Sequence, residues 1–207
     1  MIVINSYKGA SAVAKYCRKK SSFGNHWHLR WKRVCASTEI DLSNWLCEKP
    51  ILLDKPRAFI AGRQTHGKGQ RGRLWHSPEG GVWLSAAIPY LGEKQSVGSF
   101  GLAVSLALAE RLESRQIPVH IKWPNDLFVL GRKLAGFLPK LVFRGSSLKL
   151  ARVGIGLNVS NKVPMGGISI AEILGIRNCS PEDWAAEVLL SLDRAIELFK
   201  KEEPFYL

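Results

Sequence analysis

The stretch GKGQRGRLWHSPEGG, from Gly67 to Gly81, decides how this chain folds. Gly67, Gly69 and Gly72 have the G-x-G-x-x-G spacing that opens a helix beneath a pyrophosphate in dinucleotide-binding folds. Lys68, Gln70 and Arg71 are wedged between those glycines, and Trp75-His76-Ser77-Pro78 followed by Gly80-Gly81 is poor helix material. Ala58 to Ala61 reads as a short strand entering the loop, and Val82 to Ile88 as a strand leaving it. A loop between two strands, with no helix after it, is not a dinucleotide fingerprint.

Working outward, Trp31 to Cys35 alternates as a strand. Ser37 or Thr38 then caps a helix reaching about Cys47, with Glu39 and Asp41 suited to its positive end. Pro50 and Pro56 bracket the connection that follows. Residues 97–116 read as a buried helix with Leu102, Leu106, Ala109 and Leu112 on one face. Val119 to Trp123, Leu127 to Leu130, Lys133 to Phe143 and Leu148 to Val159 read as strands. The turn sequences LGRK and RGSS lie between neighbouring runs, which predicts an antiparallel meander. Ser180, Pro181 and Asp183 mark the start of a last helix whose stripe is Trp184, Val188, Leu192, Ala195 and Phe199. The expected fold class is α+β, a mixed, mostly antiparallel sheet with helices packed on one side. Residues 1–30 have weak periodicity and are expected to form an irregular or loosely helical extension, with one domain over 31–207. His26 and His28 have no third metal ligand nearby.

The 207 residues carry 30 Lys and Arg against 17 Asp and Glu, a net charge of +13 that suits anionic partners or merely a basic surface. No apolar run reaches membrane-span length, and the N-terminus lacks a secretory pattern. Cys17, Cys35, Cys47 and Cys179 have no C-x-x-C spacing, so four buried reduced thiols in a cytoplasmic protein are expected. The seven tryptophans suit either base stacking or the core.

Three stretches carry candidate chemistry. In RQTHGKGQRGRLWHSPEGG, glycine backbone N–H groups converge on one hollow, and Lys68, Arg71 and Arg73 add charge to it; the alternative is a solvated loop. In IKWPND, Lys122 ends an apolar strand as a fixed cation, or as an ordinary edge lysine. In VGIGLNVSN, Gly154 and Gly156 point to close approach of a ligand or another backbone, with Asn158 at the rim, or else to a simple bulge.

In order and spacing, GRQTHGKGQRGRLWHSPEGGVWLS, KWPNDLFVLGRKLAGFL and GIGLNVSN resemble the catalytic domain of the biotin–protein ligases. STE at Ser37 to Glu39 resembles the start of that family's biotin-binding region. The resemblance runs from about residue 30 to the C-terminus. It implies that ATP, with Mg²⁺, activates biotin as biotinyl-5′-AMP. A lysine of a biotin carboxyl carrier protein, an acetyl-CoA carboxylase subunit, then accepts the biotinyl group.

By the same resemblance Lys122 and Arg73 are catalytic. Ser37, Thr38, Gln64, Gly67, Lys68, Gly69, Gln70 and Lys122 bind biotin. Arg71, Arg73, Trp75, Asn125, Lys133 and Asn158 bind ATP, the Lys133 to Gly136 strand bordering adenosine. Neither nucleic acid nor membrane is an expected partner; a homodimer is compatible with the resemblance. The best-studied members have arginine where this chain has Gln70, asparagine at Glu39 and an acidic residue at Lys140. The resemblance extends neither to the DNA-binding domain of the bifunctional members nor to the small C-terminal β-barrel, whose linker would begin near Phe205. Two other readings stand beside it. One is a lipoate or octanoyl transferase of the same superfamily; the other is a basic nucleic-acid-binding protein with steeply salt-dependent affinity.

Overall fold

A computed structural model describes residues 9–20, 27–49, 55–89, 97–145, 147–175 and 179–200. Pro50, His26, Ser146 and the C-terminal residues from 201 onward lie outside these, as does the side chain of Phe199.

Seven strands form one sheet. They are β1 (His28–Cys35), β2 (Arg57–Gln64), β3 (Val82–Pro89), β4 (His120–Lys122), β5 (Asp126–Val129), β6 (Arg132–Arg144) and β7 (Ser147–Leu157). Their order is β1-β2-β3-β7-β6-β5-β4, and β1 with β2 is the parallel pair. The long β6–β7 hairpin and its short neighbours β5 and β4 make the expected antiparallel meander. The loop from Thr65 to Gly81 joins β2 to β3, which pair antiparallel, and contains no α-helix. The dinucleotide reading is thereby excluded by topology as well as by composition.

Alternation along the strands gives the sheet two different faces. Ala58, Ile60, Leu84, Ala86, Val153, Ile155 and Leu157 enter one large core with helices α3 (Val97–Glu113) and α5 (Pro181–Lys200). Trp184, Val188, Leu192 and Ala195 of α5 are buried there as their spacing predicts. In α3 the buried face is Phe100, Ala103, Val104, Ala107, Leu108 and Leu112, whereas Leu102 and Leu106 are half-buried. A helix that is apolar nearly all round offers periodicity no single stripe to choose.

Phe59 and Ala87 point the other way and pack on Leu42 and Trp45 of α2 (Thr38–Glu48). One helix therefore covers part of the opposite face and leaves the remainder open. Ser37 occupies the N-cap of α2 with extended backbone but makes no side-chain cap bond, while Asp183 N donates to Ser180 Oγ at 3.3 Å before α5. A capping box that the sequence reading missed, Ser169 with Glu172, starts the short α4 (Ile170–Leu174).

The N-terminal segment contains a regular helix, α1 (Ala10–Lys20). Val13 is buried in the large core, Tyr16 Oη donates to Glu187 Oε1 at 3.0 Å, and Trp27 Nε1 donates to Asp193 Oδ1 at 2.9 Å. Strand β1 begins at His28, earlier than its pattern suggests. Cys35 and Cys179 are buried and Cys17 partly so, but Cys47 is exposed, which corrects the expectation for that thiol. Among the described residues no helix is long and apolar enough to cross a membrane.

Candidate active site

The open part of the sheet face holds a cavity of about 690 Å³. Its floor is made where strands carry no side chain: Gly136 of β6 and Gly156 of β7 are direct partners across the ladder. The indole of Trp75 lies on them. A Cβ would come within 2.5 Å of that ring at Gly156 and within 2.9 Å at Gly136. Close approach therefore requires glycine at these two positions; what approaches is the protein's own Trp75 ring, and the regular β6–β7 register here sets the bulge aside.

The glycine-basic loop delivers Trp75 by folding back as a small hairpin. Trp75 N donates to Gly67 O at 2.9 Å and Gly69 N to Arg73 O at 2.8 Å, with a single 3-10 turn, Gln70–Gly72, at the tip. Arg71 and Gly72 have φ of 55° and 73°, and the glycine relieves half of that left-handed pair. Gly67 packs so tightly that a Cβ would lie 2.6 Å from Ser77 Oγ and Trp75 O. It shapes the loop from behind and does not line the cavity, and Arg71 also points elsewhere. Lys68, Gly69, Gln70, Arg73 and Trp75 do line it.

One end of the cavity is polar and uncharged apart from Glu39. Gln64 Oε1 accepts from Thr38 N at 2.8 Å and from Thr38 Oγ1 at 3.1 Å, and Gln64 Nε2 donates to Ser77 Oγ at 2.9 Å. Thr38 Oγ1 and Ser85 Oγ share a hydrogen bond of 2.9 Å. This chain fixes the amide and hydroxyl orientations before any ligand arrives, and Ser37 and Glu39 complete the wall. Ser85 was missed from sequence, although it is the one polar residue in the strand VWLSAAIP.

The other end is charged. Lys133 Nζ lies 2.7 Å from Asp126 Oδ1 and 4.9 Å from the centre of the Trp75 ring. Asn125 and Asn158 border this end, but their amides serve the scaffold. Asn125 Nδ2 donates to Phe137 O at 2.6 Å, and Asn158 Nδ2 to Lys133 O at 3.3 Å. The segment from Lys162 to Gly167 forms a wall that no motif announced; Gly166 O accepts from Lys133 N at 2.9 Å and so ties this wall to β6. Lys68, Arg73 and Lys162 bring three exposed cations to the cavity.

Lys122, like Gly67 and Arg71, is a sequence candidate that the structure leaves outside the cavity. It is exposed on the edge strand β4, with Nζ 4.9 Å from the Phe128 ring centre, and does not line the cavity. The fixed cation inside is Lys133, from the KLAG segment. Among the described residues no group of three His, Cys, Asp or Glu side chains is placed to hold a metal by itself. A divalent ion carried by phosphates is a different case, because such an ion needs only one or two protein carboxylates. Asp126 is the carboxylate at the charged end that fits that requirement, with its Oδ1 already ion-paired to Lys133 Nζ.

With this geometry established, three similarities are informative. The chain is 32% identical over 140 residues to the bifunctional ligase/repressor BirA of Bacillus spizizenii, covering 65% of this chain and 41% of that protein. It is 33% identical over 173 residues to the protein of the same name from Escherichia coli, covering 79% of this chain and 53% of that one. The chain thus spans about half the length of these curated relatives. Its fold superposes on the biotin protein ligase of Aquifex aeolicus, solved with biotin and ATP, with a TM-score of 0.70 and 28% identity over 85% of this chain and 73% of that one. Residues 43–158, which hold the glycine loop, the Asp126–Lys133 pair and the glycine floor, match the model of the biotin/lipoate A/B protein ligases, and the chain belongs to that family.

Proposed function

We propose that this chain is a biotin–protein ligase. It joins the biotin carboxylate to the α-phosphate of ATP, releasing pyrophosphate, and passes the biotinyl group to a lysine ε-amine of a biotin carboxyl carrier protein, releasing AMP. The observation that carries this reading is the polarity of the cavity: a pre-bonded neutral end around Thr38 and Gln64, and a charged end around Lys133. A cyclic urea suits the first, and two anions brought together need the second.

In the first step a carboxylate oxygen attacks phosphorus and the α–β bridging oxygen leaves with pyrophosphate. The reacting groups repel, so preorganised cations and close orientation supply most of the help. Lys133, held by Asp126 and by the Trp75 face, serves both anions at their meeting point. Arg73, Lys68 and Lys162 stand around the remaining phosphates, and Trp75 offers a ring face to the nucleotide. Ser37, Thr38 and Gln64 hold the bicyclic end of biotin, with Gly69 and Gln70 closing over it. Asn125 and Asn158 act by fixing the β6 backbone. Mg²⁺ bound with the nucleotide would be held by Asp126 and would neutralise phosphate charge. In the second step the acceptor amine attacks the mixed-anhydride carbonyl, and AMP departs. An acetyl-CoA carboxylase subunit is the proposed carrier and the cytoplasm the proposed compartment.

The test is incubation with biotin, MgATP and a carrier domain, followed by intact mass of the carrier. An ATP-dependent gain of one biotinyl group is expected. Transfer of lipoyl or octanoyl groups in its place would overturn the reading.

A further inference from the structure

The neutral end of the cavity contains one charged group, Glu39, the second residue of α2. Its Oε1 lies 2.9 Å from an Arg152 guanidinium nitrogen, NH2. Arg152, on β7, has a side chain only 10% exposed, and the same nitrogen donates to Ser43 Oγ at 2.7 Å and to Glu39 O at 3.3 Å. One nitrogen therefore serves three acceptors. The pair is one-armed: Glu39 Oε2 is buried without a donor and Arg152 Nε without an acceptor. A purely structural pair would use the two-pronged geometry that arginine and carboxylate share, which satisfies both oxygens. An unsatisfied carboxylate oxygen is costly, and a donor brought by a ligand relieves that cost.

The neighbouring groups narrow the choice of acceptor for a ligand N–H. Gln64 Oε1 is already occupied by Thr38 N and Thr38 Oγ1, and Gln64 Nε2 by Ser77. At this end the Glu39 carboxylate and the Ser37 hydroxyl have accepting capacity to spare, and only Glu39 brings a charge; its side chain is 34% exposed while it stays anchored to Arg152. Oε2 is closed off as the carboxylate stands, and a turn of the carboxylate plane that keeps Arg152 on one oxygen would present the other to the cavity.

We infer that Glu39 accepts a ring N–H of the substrate's cyclic urea, and that this bond makes the site select a nitrogen-bearing ring over a dithiolane or a plain acyl chain. The inference rests on the biotin reading given above and adds to it a residue that decides specificity. A site built to bond a ligand N–H discriminates strongly against an analogue without one, because its own buried group then stays unpaired.

Calorimetry with biotin, lipoate and the two cyclic carbamates in which one ring N–H of biotin is replaced by oxygen tests it, using wild type, Glu39→Gln and Glu39→Ala. For the wild type, one carbamate should bind at least about tenfold more weakly than biotin, and lipoate more weakly still. Glu39→Gln, which keeps a polar partner for Arg152, should weaken biotin by about tenfold through loss of a charge-assisted bond. In Glu39→Ala the difference between biotin and the discriminated carbamate should disappear. Thermal melts identify any variant that does not fold, and Glu39→Gln then carries the test. Unchanged biotin affinity in both folded variants, or losses from mutation and analogue that simply add, would overturn the Glu39 assignment. A wild type that binds lipoate and no biotin would overturn the biotin reading itself.

Discussion

Lys133 Nζ is held 2.7 Å from Asp126 Oδ1 while it also lies over the face of Trp75, 4.9 Å from the ring centre. The pair spans the β5–β6 hairpin, and both residues line the cavity. Lys122, one strand further out, lies over Phe128 and has no place in it. Lys133→Ala should lose about 3 kcal/mol of transition-state stabilisation, on the order of a hundredfold in adenylate formation. Lys122→Ala should stay near wild type. Single-turnover formation of the adenylate, with melting curves for both variants, checks the pair of expectations. The reverse pattern would return the catalytic role to Lys122.

Gly156→Ala tests the floor. A Cβ 2.5 Å from the indole cannot be accommodated unless Trp75 moves, because the ladder on both sides holds β7 in place. The KM for ATP should rise several-fold with a small change in stability. Equal KM values would mean that the ring position on the glycines is unimportant to the nucleotide.

Gln70, at the tip of the glycine-basic loop, lines the cavity without a charge. A charged donor bonds an anion about twice as strongly as a neutral one. Gln70→Arg should therefore slow release of preloaded biotinyl-adenylate in the absence of carrier. Release that is equal or faster would show that the side chain does not reach the phosphate.

The most buried carboxylate of the helical layer is Glu187, with a side chain 2% exposed that bridges Arg111, Arg115 and Tyr16. It joins α1, α3 and α5. Glu187→Ala leaves the arginines without their counter-ion, but they are about a third exposed and water can recover part of the loss. A destabilisation of about 2–3 kcal/mol is expected in urea titrations, at or below the usual range for breaking a buried pair. Catalysis at 25 °C should persist, because the cluster is on the opposite side of the sheet from the cavity.

Burial, with Asp41 adding to it, pushes the Cys35 thiol up to about 12. Such a thiol ionises first in the unfolded chain. Its contribution to stability is complete below the ordinary thiol range and is lost as the pH rises from about 9 towards 12. Alkylation of the native protein at pH 8 should label exposed Cys47 and spare Cys35, as peptide mass mapping would report. The urea midpoint should also fall less steeply above pH 9 in Cys35→Ala than in wild type.

Much of this was legible in the residues. Trp75-His76-Ser77-Pro78 and Gly80-Gly81 announced a strand-to-strand loop, and Gly156 announced close approach, while Gly154 has room for a Cβ. Other features depended on register. Lys122 and Lys133 both sit at strand ends beside turn residues, and only the pairing of β5 with β6, which shifts between Leu127 and Phe128, carries one of them into the cavity. Helix α1 was overlooked although Val13, Tyr16 and Cys17 recur at i, i+3 and i+4; that stripe is short and sits in a basic segment, and its order comes from long-range contacts such as Val13 in the core and Tyr16 on Glu187. The wall from Lys162 to Gly167 is fixed by backbone bonds to Lys133, again a long-range fact.

The proposed first step in the cavity joins a carboxylate to the α-phosphate of ATP. Exchange of labelled pyrophosphate into ATP tests this step alone and needs no carrier. Exchange should require biotin and Mg²⁺ and be reduced on the order of a hundredfold in Lys133→Ala. Exchange supported by lipoate or octanoate and not by biotin, or exchange indifferent to Lys133, would contradict it.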